Sequence, residues 1–255
     1  MSSSESPTSA STPSSSVTNT SGVLWVTVNL QDHAKRIGPK ELEAWYDEHM
    51  DIVLSCPGQG DLFLRYRQID PKVSLYASPG FETRGDEKTP EGVAKSGWVN
   101  LALVKLSDIH WLSSPQFDAM PRTSDTLPKH EDGSIGSAFT YMHAALRGYE
   151  TVATGKGNSE GSMRPKWMVS LQIEDGSKEG LEKFAEDHAK AASCRRWIAY
   201  SLRDGLLGYS EPGYMPRGLV LLELDEKPDL GQEAGIVRRD VWELNVGRGD
   251  LSLGL

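Results

Sequence analysis

The chain has 255 residues, 38% of them apolar and 25% charged, with 27 basic against 36 acidic side chains and a net charge of -9. Such a length buries a core without metals or disulfides, and the acidic balance, with a pI near 5.2, argues against nucleic acid and anionic membrane surfaces, which attract positive fields. Apolar runs such as Leu219 to Leu222 are far too short to span a bilayer, and the two distant cysteines, Cys56 and Cys194, form neither a disulfide framework nor a zinc knuckle, which fits a reducing, cytoplasmic setting.

Residues 1 to 22 hold fourteen Ser or Thr and one charged side chain, Glu5. They cannot bury enough apolar surface to offset chain entropy, so a disordered tail is expected, without the features of a secretory or mitochondrial leader. An alternating strand follows at 23 to 31, then a helix at 39 to 54 that opens on Pro39 and stops at Pro57-Gly58. Strands near 61 to 69 and 97 to 106, a short helix at 107 to 120 and a strand at 138 to 148 complete a βαββαβ order. The stretch from 70 to 96, rich in Pro, Gly and charge, is a long loop of a kind that is commonly a lid or disordered.

The chain then lines up with itself at an offset of about 140 residues, a self-similarity that marks a duplicated unit. Val28-Asn29-Leu30-Gln31 matches Val169-Ser170-Leu171-Gln172, and Leu42, Trp45 and His49 match Leu181, Phe184 and His188 with identical spacing. The second copy supplies strands near 166 to 174, 195 to 204, 217 to 225 and 238 to 246, a helix at 177 to 192 and a weaker helical stretch at 229 to 236. The expected organisation is α+β: a tail at 1–22, a first ferredoxin-like repeat at 23–150, a linker at 151–165, a second repeat at 166–247 and a tail at 248–255. Two four-stranded antiparallel sheets, each with helices on one face, would cover their other faces by packing together as an intramolecular, pseudo-dimeric α+β barrel around a lumen.

Because side chains alternate across a strand, Val26, Val28 and Leu30 are expected to meet helices, and Thr27, Asn29 and Gln31 to face the lumen, as are Met168, Ser170 and Gln172. The same rule sends Phe63, Arg65 and Arg67, Trp98, Asn100 and Ala102, Tyr141 and His143, Trp197 and Ala199, and Val241 and Glu243 into the lumen, with Leu62, Leu64 and Tyr66 beside helices. A register slip of one residue reverses each assignment. Aromatic rings with a few polar groups make a pocket for an organic ligand, and in an acidic chain any arginine in the lumen is notable.

Leu42, Trp45, Tyr46, His49 and Val53 share one helix face, and Leu181, Phe184 and His188 repeat it. Two roles stand open for these histidines: a core imidazole bonded to a backbone carbonyl, or an acid or base at the edge of a pocket. His143 is a second acid-base candidate. No HExxH pattern, GxGxxG, Walker motif or G-x-S-x-G occurs, so neither a metal nor an organic cofactor is expected.

Trp45-Tyr46-x-x-His49 with Pro57-Gly58, and Trp111-Leu112-Ser113-Ser114-Pro115, resemble the aromatic and histidine helix and the second helix of the EthD-like proteins of fungal secondary metabolism, within the dimeric α+β barrel superfamily. The resemblance covers about 23 to 247. It implies a cofactor-independent small-molecule enzyme of the cyclase, dehydratase or decarboxylase kind acting on an aromatic or polyketide-like metabolite. It carries the helix histidine's role onto His49 and, through the repeat, His188, although Ala185 and Arg195-Arg196 break the pattern in the second copy. On this reading His49 or His143 moves a proton and Arg65 with Asn29 stabilises enolate charge. Phe63, Trp98, Asn100, Tyr141, Gln31, Ser170, Gln172, His188 and Trp197 surround the substrate, in a monomer or weak homodimer. The alternative is a noncatalytic barrel that binds a hydrophobic metabolite or a protein. A haem enzyme ranks third, and a tandem RNA-binding module lacks the basic, aromatic strand surface it needs.

Overall fold

The structure is a computed structural model that describes residues 19–30, 37–56, 60–69, 100–138, 141–158, 164–191, 194–206, 216–228, 236 and 238–255. The tail at 1–18, the loop at 70–96, Gln31, Trp98 and residues 229–235 of the expected last helix lie outside the described residues, as do the side chains of Asn29 and His143.

Eight strands are present: β1 (Gly22–Leu30), β2 (Leu62–Gln68), β3 (Asn100–Leu106), β4 (Met142–Lys156), β5 (Trp167–Ile173), β6 (Cys194–Leu202), β7 (Gly218–Leu224) and β8 (Arg238–Gly249). Two longer helices cover them from outside, α1 (Pro39–Ser55) and α3 (Lys178–Ala191), with a 3-10 turn at Ile109–Ser113 and the single turn α2 (Pro115–Asp118) between β3 and β4. The strands close into one antiparallel barrel in the order β1-β3-β2-β8-β5-β7-β6-β4. The first four strands run β4-β1-β3-β2 and the last four β8-β5-β7-β6, so the two halves share one strand order. They join by hydrogen-bonded ladders, β2 on β8 and β4 on β6, which leaves no free sheet edge.

β4 starts later and ends later than the sequence pattern predicts. Its last residues reach into the glycine-bearing stretch expected to be a linker, because Gly155 pairs with Trp197. A Cβ there would sit 2.3 Å from the indole, so glycine is what lets the large ring lie across the strand.

The polar inner rows of β1 and β5 stand as the sequence implies: Thr27, Ser170 and Gln172 are buried, and Met168 packs in the lumen. In four other strands the expected faces are reversed. Leu62, Leu64, Tyr66, Leu101, Leu103, Ile198, Tyr200 and Trp242 point inward, whereas Phe63, Ala102, Trp197, Ala199 and Val241 point outward toward helix-covered faces. Asn100 shares the outer row of Ala102 and Arg65 that of Phe63 by strand alternation. Both faces of these strands are buried, so alternation of apolar and polar residues carries little information about which is inside. The inside takes the row richer in leucine and aromatic side chains. Trp25, Trp242, Tyr66, Tyr149, Tyr200 and Met168 fill the lumen with leucines, and Trp242 Nε1 donates to Ser170 Oγ at 2.9 Å.

Candidate functional site

A cavity among the described residues lies on the outer face of the first half, beneath α1. Its floor is the outward row of β1, β2, β3 and β4, including Leu24, Val26, Val28, Phe63, Ala102, Val104 and Leu146, and its roof is Trp45, Tyr46, His49 and Val53 of α1. Pro39 opens α1, the Gly38 amide donates to Glu41 Oε2 at 3.0 Å, and Cys56, in extended conformation, ends it. The i, i+3, i+4 spacing then brings Trp45, Tyr46, His49 and Val53 onto the sheet side.

The third wall is the connection from β3 to β4. Asp108 caps the 3-10 turn by accepting from the His110 amide at 3.0 Å, and Ser114 caps α2 by accepting from the Phe117 amide at 3.2 Å. These caps set Trp111 edge-on to Phe117, with ring centres 5.1 Å apart. Met120 and Arg122 follow into the cavity wall. The Ala138 amide donates to the Arg122 carbonyl at 2.9 Å, folding 119–138 back on itself as a flap. Ser124 latches that flap to α1 by donating to Glu48, the residue before His49, and pairs with Thr126 at 2.6 Å. The cavity is about 50 Å³. That is room for a few waters, and less than the roughly 150 Å³ of a cavity that binds benzene.

The polar groups of this apolar cavity are few. His49 stacks on Trp45, 4.7 Å between ring centres and 16° between planes. Burial, and then the positive charge of Arg122, pull its pKa down to about 4, so the imidazole is neutral near pH 7. Tyr46 is buried under the guanidinium of Arg65, which lies 5.2 Å from its ring centre. Burial pushes the phenol's pKa up, against a smaller opposing pull from Arg65, and keeps it protonated. Among the described residues, neither the Tyr46 hydroxyl nor Trp111 Nε1 has a hydrogen-bond partner, although both side chains are at least nine-tenths buried. Leaving a buried donor unpaired costs about 1–3 kcal/mol, a cost that a ligand oxygen accepting from it would remove.

Of the residues expected from the sequence to act on or surround a substrate, His49 and Phe63 line this cavity. Arg65 is under α1 instead of in the lumen, 3.7 Å from Glu43, a carboxylate that its long side chain reaches. Asn100 is buried on the outer side. Tyr141 stands outside β4, where its hydroxyl donates to the Pro128 carbonyl at 2.7 Å and its ring stacks on His130. Trp197 faces α3. Ser170 and Gln172 are in the lumen, separated from the cavity by the sheet. His188 Nδ1 lies 2.8 Å from the Phe184 carbonyl on its own helix. Sequence reasoning missed Arg122 and the cavity roles of Tyr46 and Trp111. The two aromatics belong to the quoted motifs, but nothing in the loop pattern marks Arg122. Among the described residues no three His, Cys, Asp or Glu side chains gather as a metal site, and no helix is long and apolar enough to cross a membrane.

No protein-family model and no curated protein matches the sequence. Solved structures of similar form include an anthrone oxidase-like protein (TM-score 0.47, 9% identity, covering 89% of this chain and 93% of that one). Others are a protein from Fusobacterium nucleatum with a provisional monooxygenase name (0.43, 7%, 93% and 97%) and a mutant chlorite dismutase from Candidatus Nitrospira defluvii in complex with cyanide (0.42, 10%, 90% and 93%). These likenesses are distant, and they say nothing of the chemistry.

Proposed function

We propose that the cavity beneath α1 is the active site of a cofactor-independent enzyme in which His49 takes a proton from an aromatic, polyketide-like substrate. Tyr46, Trp111 and Arg122 would hold the oxygen on which negative charge develops. The observation that carries this reading is a neutral imidazole beside a guanidinium and two buried, unpartnered donors, all within one apolar cavity. Donors aimed at developing charge in a dry site are the strongest electrostatic device available to such a reaction.

A base whose conjugate acid has a pKa of about 4 is weak in the empty site, and ideal proton transfer wants a pKa near the working pH. The source of the depression supplies the remedy. A substrate oxygen that gains charge beside Arg122 cancels the repulsion Arg122 exerts on imidazolium, so the proton and the anion stabilise each other as they form. Only protons that are already acidic, on a phenol or between two carbonyls, match such a base. The resulting enolate or phenolate leads to cyclisation, dehydration or decarboxylation without an electron carrier. Phe63, Trp45, Trp111 and Phe117 give the flat apolar surfaces an aromatic substrate needs. On the same reading the chain is a fused pair of ferredoxin-like units in which the first holds the reaction.

The test is proton exchange in D2O across a panel of phenolic and aromatic 1,3-dicarbonyl compounds, followed by NMR. Exchange is expected to be catalysed, to fall about 10²–10⁴-fold in His49→Ala, and to survive in His143→Ala. Full exchange by His49→Ala abandons the mechanism, and tight binding with no exchange by the wild type means a carrier.

A further inference from the structure

At the opposite side of the sheet from His49, one end of the lumen is closed by residues 251–255. Lys105 at the end of β3, Arg164 ahead of β5, Arg196 on β6 and Glu223 on β7 meet there. Glu223 is 1% exposed; Arg164 Nη2 reaches it at 3.2 Å and Arg196 Nε at 2.8 Å. Two of the cations also donate to backbone carbonyls of the closing segment. Lys105 Nζ donates to Gly254 O at 2.5 Å, and Arg164 Nη1 to Leu253 O at 2.5 Å and Leu251 O at 3.5 Å. Gly254 lies so close over Arg196 that a Cβ would sit 2.0 Å from its Nη1. Leu255 is buried with the lumen side chains and Leu253 packs partly against them.

We propose that this end of the lumen is a binding site for an amphiphilic carboxylate, and that residues 251–255 occupy it here in place of that ligand. The segment has the ligand's two chemical features, oxygens on the cations and branched hydrocarbon in the lumen, but the oxygens that accept from Lys105 and Arg164 are neutral backbone carbonyls. Hydrogen bonds to an ionised oxygen are about twice as strong as neutral ones. The site has the positive charge to use one. Three cations surround one buried carboxylate, with Asp61 within electrostatic reach of Lys105. Burial, and then Arg196, make the Lys105 ammonium harder to hold, lowering its pKa. Arg164, its side chain 8% exposed, has an Nε with no partner among the described residues. Withdrawal of Leu253 and Leu255 opens an apolar slot for an acyl chain, and the carboxylate takes over the donors they leave.

The experiment uses the full chain and decanoate. Calorimetric titration is expected to show saturable one-to-one binding, with none for decanol, and the amides of 251–255 are expected to exchange hydrogen faster at saturation. Leu255→Ser loosens the segment's hold by about one buried leucine, so decanoate should bind about tenfold tighter. Arg164→Met should weaken it by about tenfold or more, and His49→Phe should leave it unchanged. Decanol binding as well as decanoate, unchanged exchange at 251–255, no binding even in Leu255→Ser, or loss of binding in His49→Phe each overturns the proposal. The decanol comparison and the exchange measurement need no variant, so a misfolded Arg164→Met does not remove the test.

Discussion

The two helix-covered faces of the barrel place a histidine at the same point of the same pattern, and the histidines end in different circumstances. On α1 the inward residues are Leu42, Trp45, Tyr46, His49 and Met50. On α3 the corresponding residues are Leu181, Phe184, Ala185, His188 and Ala189. Ala185 and Ala189 are buried with Leu181 against Val169, Leu171 and Val220, and α3 comes down close to β4, β6 and β7. Tyr46 and Met50 are too large for that approach and prop α1 off the sheet. The gap becomes the cavity, and the 109–138 segment walls it with Trp111, Phe117 and Arg122. His188 leans on Phe184 with ring centres 4.0 Å apart and spends a ring nitrogen on its own helix. A histidine on the buried stripe is therefore not a site by itself; large neighbours and a charged wall are what give His49, and not His188, a cavity to face.

The widest separation between the faces is in turnover. His49→Ala should reduce proton transfer about 10²–10⁴-fold, and His188→Ala should leave it within about twofold, in one assay on one substrate. Equal losses in both variants would mean that the α3 face is also a site and that the comparison fails.

Next in size is a pH effect on stability. Folded His49 takes up its proton only near pH 4, against about 6.5 in the unfolded chain. Between those values the unfolded state binds more protons, so stability falls as pH is lowered through the window, by up to about 3 kcal/mol. Urea unfolding of wild type and His49→Phe at pH 7 and pH 4.5 measures it. The variant should lose less stability than the wild type by most of that amount, and parallel losses would show that the imidazole is not held neutral.

The bounds of the two longer helices and the eight described strands were readable in the sequence. Strong 3.6 and 2.0 periodicities and the internal match report on them directly. The side of each strand was readable only where polar residues distinguish the faces, as Thr27, Ser170 and Gln172 do. In LFLRYRQ and NLALVKL both rows are buried, so periodicity is silent, and Arg65 and Asn100 were placed on the wrong face. The cavity on which the proposal rests is therefore on the outer face, where the sequence pattern did not put it. Arg122 was illegible for another reason: its position depends on a flap held by the Glu48–Ser124 bond and the Ala138–Arg122 backbone bond, contacts between residues distant in sequence.

A smaller effect sets activity against stability at Tyr46. Its hydroxyl is buried and without a partner among the described residues, a cost that its counterpart Ala185 does not carry. Tyr46→Phe should gain about 1 kcal/mol in chemical denaturation and lose about tenfold in proton transfer, as expected when a donor is kept for a ligand. A loss of stability would place an unseen partner on the hydroxyl. Ala185→Tyr should instead cost about 1–3 kcal/mol by overpacking a face where Ala185 is already fully buried.

The smallest expected change reports on the charge that only the α1 face has. Arg122 lowers the His49 pKa, second to burial. Replacing it with glutamine removes the repulsion on imidazolium, so the acidic limb of the rate profile should move to higher pH. The limb of the wild type should also move up as salt is added, because added ions screen a charge near the surface more than they alter burial, and Arg122→Gln should be nearly insensitive to salt. The variant should be slower on its plateau even though its histidine is the better base, since the group that stabilises the developing anion has gone. A limb that stays in place with a slower plateau would assign Arg122 to holding the substrate alone. A limb that moves with an unchanged plateau would assign it to the histidine alone. The coupling of the two shifts is what distinguishes a charge that serves both ends of the proton transfer.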